Sequence, residues 1–184
     1  PPRSTLFPYT TLFRSVVVSP GVPAATPEVQ EAVAAGVDVV GELGFAWRFI
    51  QPRTGAVTGT NGKSTVTSFL GTLLARSGRR SFAGGNLGIP LSEAALGEAP
   101  EVAALEVSSY QLELPGAFDP RVAVLLNLTP DHLARHGTME NYGRMKARIV
   151  ERMRPDDLYL VPEDDPLLRG LAAAHGRKIG RAHV

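Results

Sequence analysis

The chain has 184 residues, 43% of them hydrophobic and 20% charged, which is the composition of an ordinary folded protein with room for one good core. A net charge of +1 argues for neither nucleic acid nor an acidic membrane surface, and the absence of cysteine excludes disulfides, thiolate catalysis and Cys-ligated zinc. No apolar run approaches the roughly 18 residues of a membrane span, and a basic-then-apolar signal pattern does not open the sequence.

Residues 1–15 read PPRSTLFPYTTLFRS, with Thr-Leu-Phe repeated at Thr5 and Thr11 and neither helical nor alternating periodicity. Residues 178–184, KIGRAHV, are similar in character. Both stretches are read as non-native junction sequence and set aside, so that residues 16–177 are expected to belong to a longer protein. Val16 to Val18 predicts a strand, broken by Ser19-Pro20-Gly21. Thr26 is placed to cap a helix with Pro27 at its first position, running to about Ala35 and ended by Gly36. Val37 to Val40 predicts the next strand. Gly41 to Ile50 is helical and stopped by Pro52, with a domain boundary near residues 41–45.

A short apolar run, Ala56-Val57, then leads into Gly59-Thr60-Asn61-Gly62-Lys63-Ser64-Thr65 and a helix from Ser64 to Ser77, with Val66, Phe69, Leu70, Leu73 and Leu74 predicted on its inner face. Arg80 to Ala83 is a short strand and residues 84–88 a tight loop. Pro90 opens a helix to about Leu96. Buried-type strands follow at Val102–Val107 and Val122–Leu128. Thr138 caps a helix that turns Met139, Tyr142, Met145 and Ile149 inward. Leu158 to Val161 is a last strand, and Pro166 to Ala174 a last helix. Alternation of strands and helices predicts an α/β fold with a parallel sheet flanked by helices on both faces, where ligands gather at the carboxyl ends of the strands.

Four strand ends carry candidate chemistry. In the first, the glycines of residues 59–65 let backbone amides turn toward a phosphate at a helix N-terminus. Lys63 is placed for the β- and γ-phosphates and the Ser64 hydroxyl for Mg²⁺. The strict G-x4-G-K-[ST] pattern fails at Val57, and the bland alternative is a glycine turn capping a helix. In the second, Gly84-Gly85-Asn86 is either a plain turn or a close backbone approach with the Asn86 amide on a substrate oxygen. The third is Glu106, which ends an apolar strand and is either a Mg²⁺ ligand or a salt-bridged or solvent-exposed strand end. The fourth, Asn127-Leu128-Thr129-Pro130-Asp131-His132, offers His132 as a metal or phosphoryl contact, against a purely structural histidine. On pattern alone Lys146 reads as a snorkelling surface lysine. His136, His175 and His183 receive no role.

GTNGKST at 59–65, GGNLG at 84–88, LEVSSYQLE at 105–113 and LNLTPDHLARHGTMENYGRMKARI at 126–149 resemble, in order and spacing, the Mur ligases. These are the ATP-dependent amide-bond ligases of peptidoglycan precursor synthesis. Ser64 after Lys63, SSYQLE from Ser108 and SPG at Ser19 are most similar to the member that adds D-glutamate to UDP-N-acetylmuramoyl-L-alanine. HGTMENY is shared with a diamino-acid-adding sibling and does not discriminate. The resemblance implies a P-loop-type central, ATP-binding domain over residues 43–177, preceded at 16–42 by the end of a Rossmann-like domain for the UDP substrate. The family's third domain falls outside the chain, so the chain by itself is expected to be inactive.

The resemblance also implies roles. Gly59, Thr60, Asn61, Gly62, Lys63, Ser64 and Thr65 would hold ATP, and Ser64 and Glu106 one Mg²⁺. His132 would ligate a second Mg²⁺ together with Lys146, which matches the family's carbamylated lysine. Lys63, His132 and Lys146 would be catalytic. Asn86 and His132 would meet the muramoyl-alanine, Ser19, Pro20 and Gly21 the uridine, and Ser109 and Gln111 the substrate cleft. The implied cofactors are ATP and Mg²⁺, and the implied substrates UDP-N-acetylmuramoyl-L-alanine and D-glutamate. A cytoplasmic monomer without nucleic-acid or membrane partners is expected. A sibling ligase or folylpolyglutamate synthase adding another amino acid, and a P-loop nucleotide-binding module without ligase activity, stand as alternatives.

Overall fold

The computed structural model describes residues 14–174 and 178–182. The chain opens with a small βαβ unit. Strand β1 (Ser15–Val18) pairs in parallel with β2 (Asp38–Gly41), Ser15 opposite Asp38, and helix α1 (Pro27–Ala34) crosses between them. Pro27 sits in the first turn as predicted. Thr26, however, does not cap it: its hydroxyl donates back to the Pro23 carbonyl at 2.9 Å.

Helix α2 (Glu42–Ala46), shorter than predicted, leads into a parallel six-stranded sheet. Its elements in chain order are β3 (Arg53–Thr58), α3 (Lys63–Ala75), β4 (Ser81–Gly85), α4 (Leu91–Ala94), β5 (Val102–Glu106), β6 (Val122–Leu125), α5 (Leu133–His136), α6 (Met139–Ala147), β7 (Leu158–Pro162), α7 (Pro166–Ala174) and β8 (Lys178–Ala182). The spatial order is β4-β5-β3-β6-β7-β8, every pair parallel. Strand β8, set aside in the sequence reading, pairs along all of β7 from Leu158↔Lys178 to Pro162↔Ala182.

Consecutive residues Ala56, Val57 and Thr58, and Ala103 to Glu106, are all buried. Successive side chains of a strand point to opposite faces, so both faces of the central strands are covered. Leu43, Ala46, Trp47 and Ile50 join the same core as Leu105, Leu125 and Tyr159, with Trp47 edge-on to Phe118 at 4.9 Å between centroids.

The chain after β3 turns to one side of it, and the chain after β6 turns to the other. The crevice between these two strands is therefore a topological switch point, where ligands bind in open parallel sheets. One helix face departs from the prediction. On α3, Phe69 and Leu73 are 64% and 49% exposed, whereas Thr67 is buried. A Cβ at Gly71 would stand 2.6 Å from the Ala83 Cβ, so the helix seats its small residues on the sheet and turns its largest outward.

Candidate active site

The loop between β3 and α3 opens at Gly59, φ 146°, and turns at Gly62, whose φ of 81° lies in the left-handed region; both are positive φ values that glycine reaches without strain. That turn starts α3 at Lys63, so the unpaired amides of its first turn face the switch point. Lys63 Nζ folds back to donate to the Thr60 carbonyl at 2.8 Å. Ser64, one residue on, donates its hydroxyl to Glu106 Oε2 at 2.7 Å.

Glu106 ends β5 at 3% exposure, which settles the choice left by the sequence against an exposed end. Its other oxygen accepts from Asn86 Nδ2 at 2.7 Å, and the Asn86 amide donates to the Glu106 carbonyl at 2.8 Å. Both partners of the carboxylate are neutral. A buried carboxylate beside a hydroxyl and a phosphate loop suits Mg²⁺, which keeps few protein ligands and takes the rest from phosphates and water. Among the described residues no three His, Asp or Glu side chains converge on a metal site.

Lys146 is where the pattern reading fails most plainly. It is 1% exposed, not snorkelling. Its Nζ donates to the Gly59 carbonyl at 2.8 Å and lies 4.6 Å from the Tyr142 ring centroid. Burial, with the nearby positive charge of Lys63, lowers its pKa to about 7. A neutral amine is the form that reacts with carbon dioxide, and the lowered pKa makes that form accessible near neutral pH. As an unmodified ammonium it has no lone pair to offer a metal.

A cavity of about 220 Å³ joins these groups: Lys63, Asn86 and Lys146 meet Ser108, Ser109, Tyr110, His132 and Tyr142 around it. His132 caps α5 in the left-handed conformation, φ 52°. Its Nδ1 is 3.0 Å from the Tyr110 hydroxyl and its Nε2 3.3 Å from Asp131 Oδ2. Ser109 is buried, with its hydroxyl 3.0 Å from His136 Nε2. His136, given no role from sequence, stacks against the rings of both Tyr110 and Tyr142, and burial lowers its pKa. Gln111 is not among the lining residues. It turns inward, and its Oε1 accepts from the Ser108 amide at 3.0 Å, bracing the turn after β5.

Ser19, Pro20 and Gly21 form the turn after β1, closed by the Val22 amide on the Ser19 carbonyl, and are not among the residues lining this cavity. Pro23 to Ala25 then border a separate cleft of about 640 Å³ against Arg135, Arg144 and Arg148. Arg135 is held there by both oxygens of Glu113, at 2.7 and 2.9 Å. His175 and His183 lie outside the described residues.

The sequence profile of the Mur ligase middle domain matches residues 57–182, more than half of the chain. The chain belongs to the Mur ligase family. It is 50% identical over 162 residues to the UDP-N-acetylmuramoylalanine–D-glutamate ligase of Myxococcus xanthus, covering 86% of this chain and 35% of that protein. It is 46% identical over 159 residues to the ligase of the same name from Pelotomaculum thermopropionicum, with the same coverage. The chain thus spans about a third of the length of the curated relatives it matches. Among solved structures it is similar to MurF from Acinetobacter baumannii (TM-score 0.59, 26% identity, 74% of this chain and 32% of that one). It shares its fold with MurF ligase from Thermotoga maritima in complex with ADP (TM-score 0.60, 20% identity, 94% and 48%). No helix among the described residues is long and apolar enough to cross a membrane.

Proposed function

We propose that the chain forms the phosphoryl-transfer centre of an ATP-dependent ligase that joins D-glutamate to UDP-N-acetylmuramoyl-L-alanine. The observation that carries this reading is the convergence of Lys63, Asn86, His132 and Lys146 on one cavity beside the Ser64–Glu106 pair, at the switch point of a parallel sheet. The naming of relatives at 46–50% identity supports the choice of substrates.

The triphosphate lies on the first-turn amides of α3, and Lys63 leaves the Thr60 carbonyl to neutralise charge on the β- and γ-phosphates. Mg²⁺, held by Ser64 and Glu106, would supply further charge neutralisation on the transferring group. The carboxylate of the UDP-muramoyl-alanine enters past Asn86 and His132 and takes the γ-phosphoryl group, with ADP leaving. The D-glutamate amine attacks the resulting acyl phosphate, forming the amide and releasing phosphate. Lys146, as the carbamate, adds a second anion to the cavity floor and orients the carboxylate's partners. The chain needs the remainder of a full-length ligase for the complete reaction, and is cytoplasmic and monomeric in this reading.

The test is a chimera. Residues 16–177 replace the matching segment of the Myxococcus xanthus ligase, and phosphate release is followed with a panel of amino acids. D-glutamate-dependent release is expected. Release driven by another amino acid would move the assignment to a sibling, and ATP hydrolysis independent of any amino acid would leave only a nucleotide-binding module.

A further inference from the structure

We infer that Asn127 is the positioning residue of the phosphate loop. The inference deepens the nucleotide-binding reading above and depends on it. Asn127 follows β6 by two residues, across the switch crevice from the loop. Its Oδ1 accepts from two successive loop amides, Thr60 N at 3.2 Å and Asn61 N at 2.9 Å. Its Nδ2 donates to the Asn61 carbonyl at 3.1 Å, and its own carbonyl takes a second share of the Thr60 amide at 3.1 Å. One side chain thus makes with the Asn61 main chain both polar contacts that a paired strand would make. Thr60 is fastened further along the same segment, its hydroxyl lying 3.2 Å from the Thr129 carbonyl and accepting from the Thr129 amide at 3.1 Å.

This geometry divides the loop. The amides of Thr60 and Asn61 are already spent in the free protein, pointing at β6. An anion must take the amides from Gly62 onward, which are the ones the start of α3 leaves unpaired. Of the seven loop residues proposed from sequence to hold ATP, two therefore act through Asn127 and not through their own amides. An asparagine is what this job needs. An apolar residue would leave the Asn61 amide without a partner and the Thr60 amide with the Asn127 main-chain carbonyl alone. An aspartate would keep the acceptor, lose the bond to the Asn61 carbonyl and set a negative charge beside the phosphates.

The 184-residue protein is compared with Asn127→Ala and Asn127→Asp by amide hydrogen exchange, thermal melting, and calorimetric binding of Mg-ADP and of inorganic tripolyphosphate. In the unsubstituted protein the Thr60 and Asn61 amides should exchange slowly before any ligand is added. In Asn127→Ala the protection of the Asn61 amide should vanish, that of Thr60, which keeps the Asn127 main-chain carbonyl, should only weaken, and both ligands should bind at least about tenfold more weakly. The melting temperature should change little, since Asn61 is an exposed loop residue. Asn127→Asp should keep the two amides protected and still bind both ligands weakly. A merely structural residue would lower the melting temperature and leave affinity alone. Wild-type affinity in Asn127→Ala, or freely exchanging Thr60 and Asn61 amides in the unsubstituted protein, would overturn the inference by itself. Failure of the unsubstituted protein to bind either ligand would instead remove the nucleotide reading, and this inference with it.

Discussion

The floor and the rim of the 220 Å³ cavity are built on opposite terms. On the floor side, Lys146, which lines the cavity, and Glu106, which is bonded to the lining Asn86, are almost fully buried, and each polar tip has a fixed partner within 2.8 Å. At the rim, His132 and its neighbour Asp131 keep 43% and 44% of their side chains exposed; they lean on each other, and His132 on Tyr110. Charges buried on the floor are costly unless the site uses them, whereas rim groups can be rearranged by an incoming ligand at little cost. In the proposed reading the floor is preorganised for phosphate and metal, and the rim is left adaptable for the substrate.

If that contrast is right, floor substitutions should dominate. Glu106→Gln should have the largest effect. It removes the one buried carboxylate beside Ser64 and leaves either Ser64 or Asn86 without its acceptor. The gain in ADP affinity produced by Mg²⁺ should fall by about a hundredfold, or roughly 3 kcal/mol, in calorimetry with and without the metal. An undiminished Mg²⁺ effect would show that the cation is anchored elsewhere.

Lys146→Met tests the other floor charge. Folded Lys146 releases its proton near pH 7, well below the 10.5 of a free lysine, because burial and Lys63 oppose its charge. Between those two values the unfolded chain binds more protons than the folded one, so stability should rise with pH across that window. Below about pH 7 both states are protonated and the full penalty of the buried ammonium remains. Replacing the lysine with methionine should flatten the rise, a change on the order of 2 kcal/mol, read from denaturant midpoints between pH 7 and 10. An unchanged slope would mean that Lys146 is charged in the fold. In the same protein, ¹³C-bicarbonate should give a carbamate carbon signal that the methionine variant lacks.

The helix carrying Lys146 offers a smaller test. Thr138 caps α6, its hydroxyl accepting from the Asn141 amide at 3.1 Å, whereas the hydroxyl of Thr26 ahead of α1 caps nothing. Thr138→Ala should cost about 1 kcal/mol in chemical denaturation and Thr26→Ala distinctly less.

These cases mark where the sequence was legible. The phosphate loop, the strand ending in Glu106 and the parallel α/β order could be read because each depends on local chemistry: a glycine turn, an apolar run with one charge, an alternation of periods. Lys146 could not, because its burial is decided by β3 and its loop, 87 residues away in the chain, and a lone lysine in a helix carries no signal of that. Phe69 and Leu73 misled for the converse reason. Periodicity locates an apolar face, but the close seat of Gly71 over Ala83 decided which side of α3 meets the sheet. Asn127 appeared only as part of a motif, since its two loop contacts exist only once β6 lies beside β3. His136 had no pattern at all, and its place between two tyrosines is a product of packing.

His132→Gly should have the smallest effect and bears most directly on the rim. His132 is the one non-glycine residue at positive φ among those described, a conformation that strains an L side chain by about 1 kcal/mol. Glycine would relieve that strain but add a comparable conformational entropy to the unfolded chain. The lost contacts to Tyr110 and Asp131 are half-exposed and contribute little. The three terms nearly offset, so the denaturant midpoint should move by less than about 0.5 kcal/mol, with Mg-ADP affinity unchanged. A loss above about 1 kcal/mol would mean that His132 is clamped by the fold as firmly as Glu106, and the distinction between a rigid floor and an adaptable rim would have to be abandoned. A neutral result would leave the strained histidine explained by what it does for a bound substrate, since the fold itself gains nothing from holding it there.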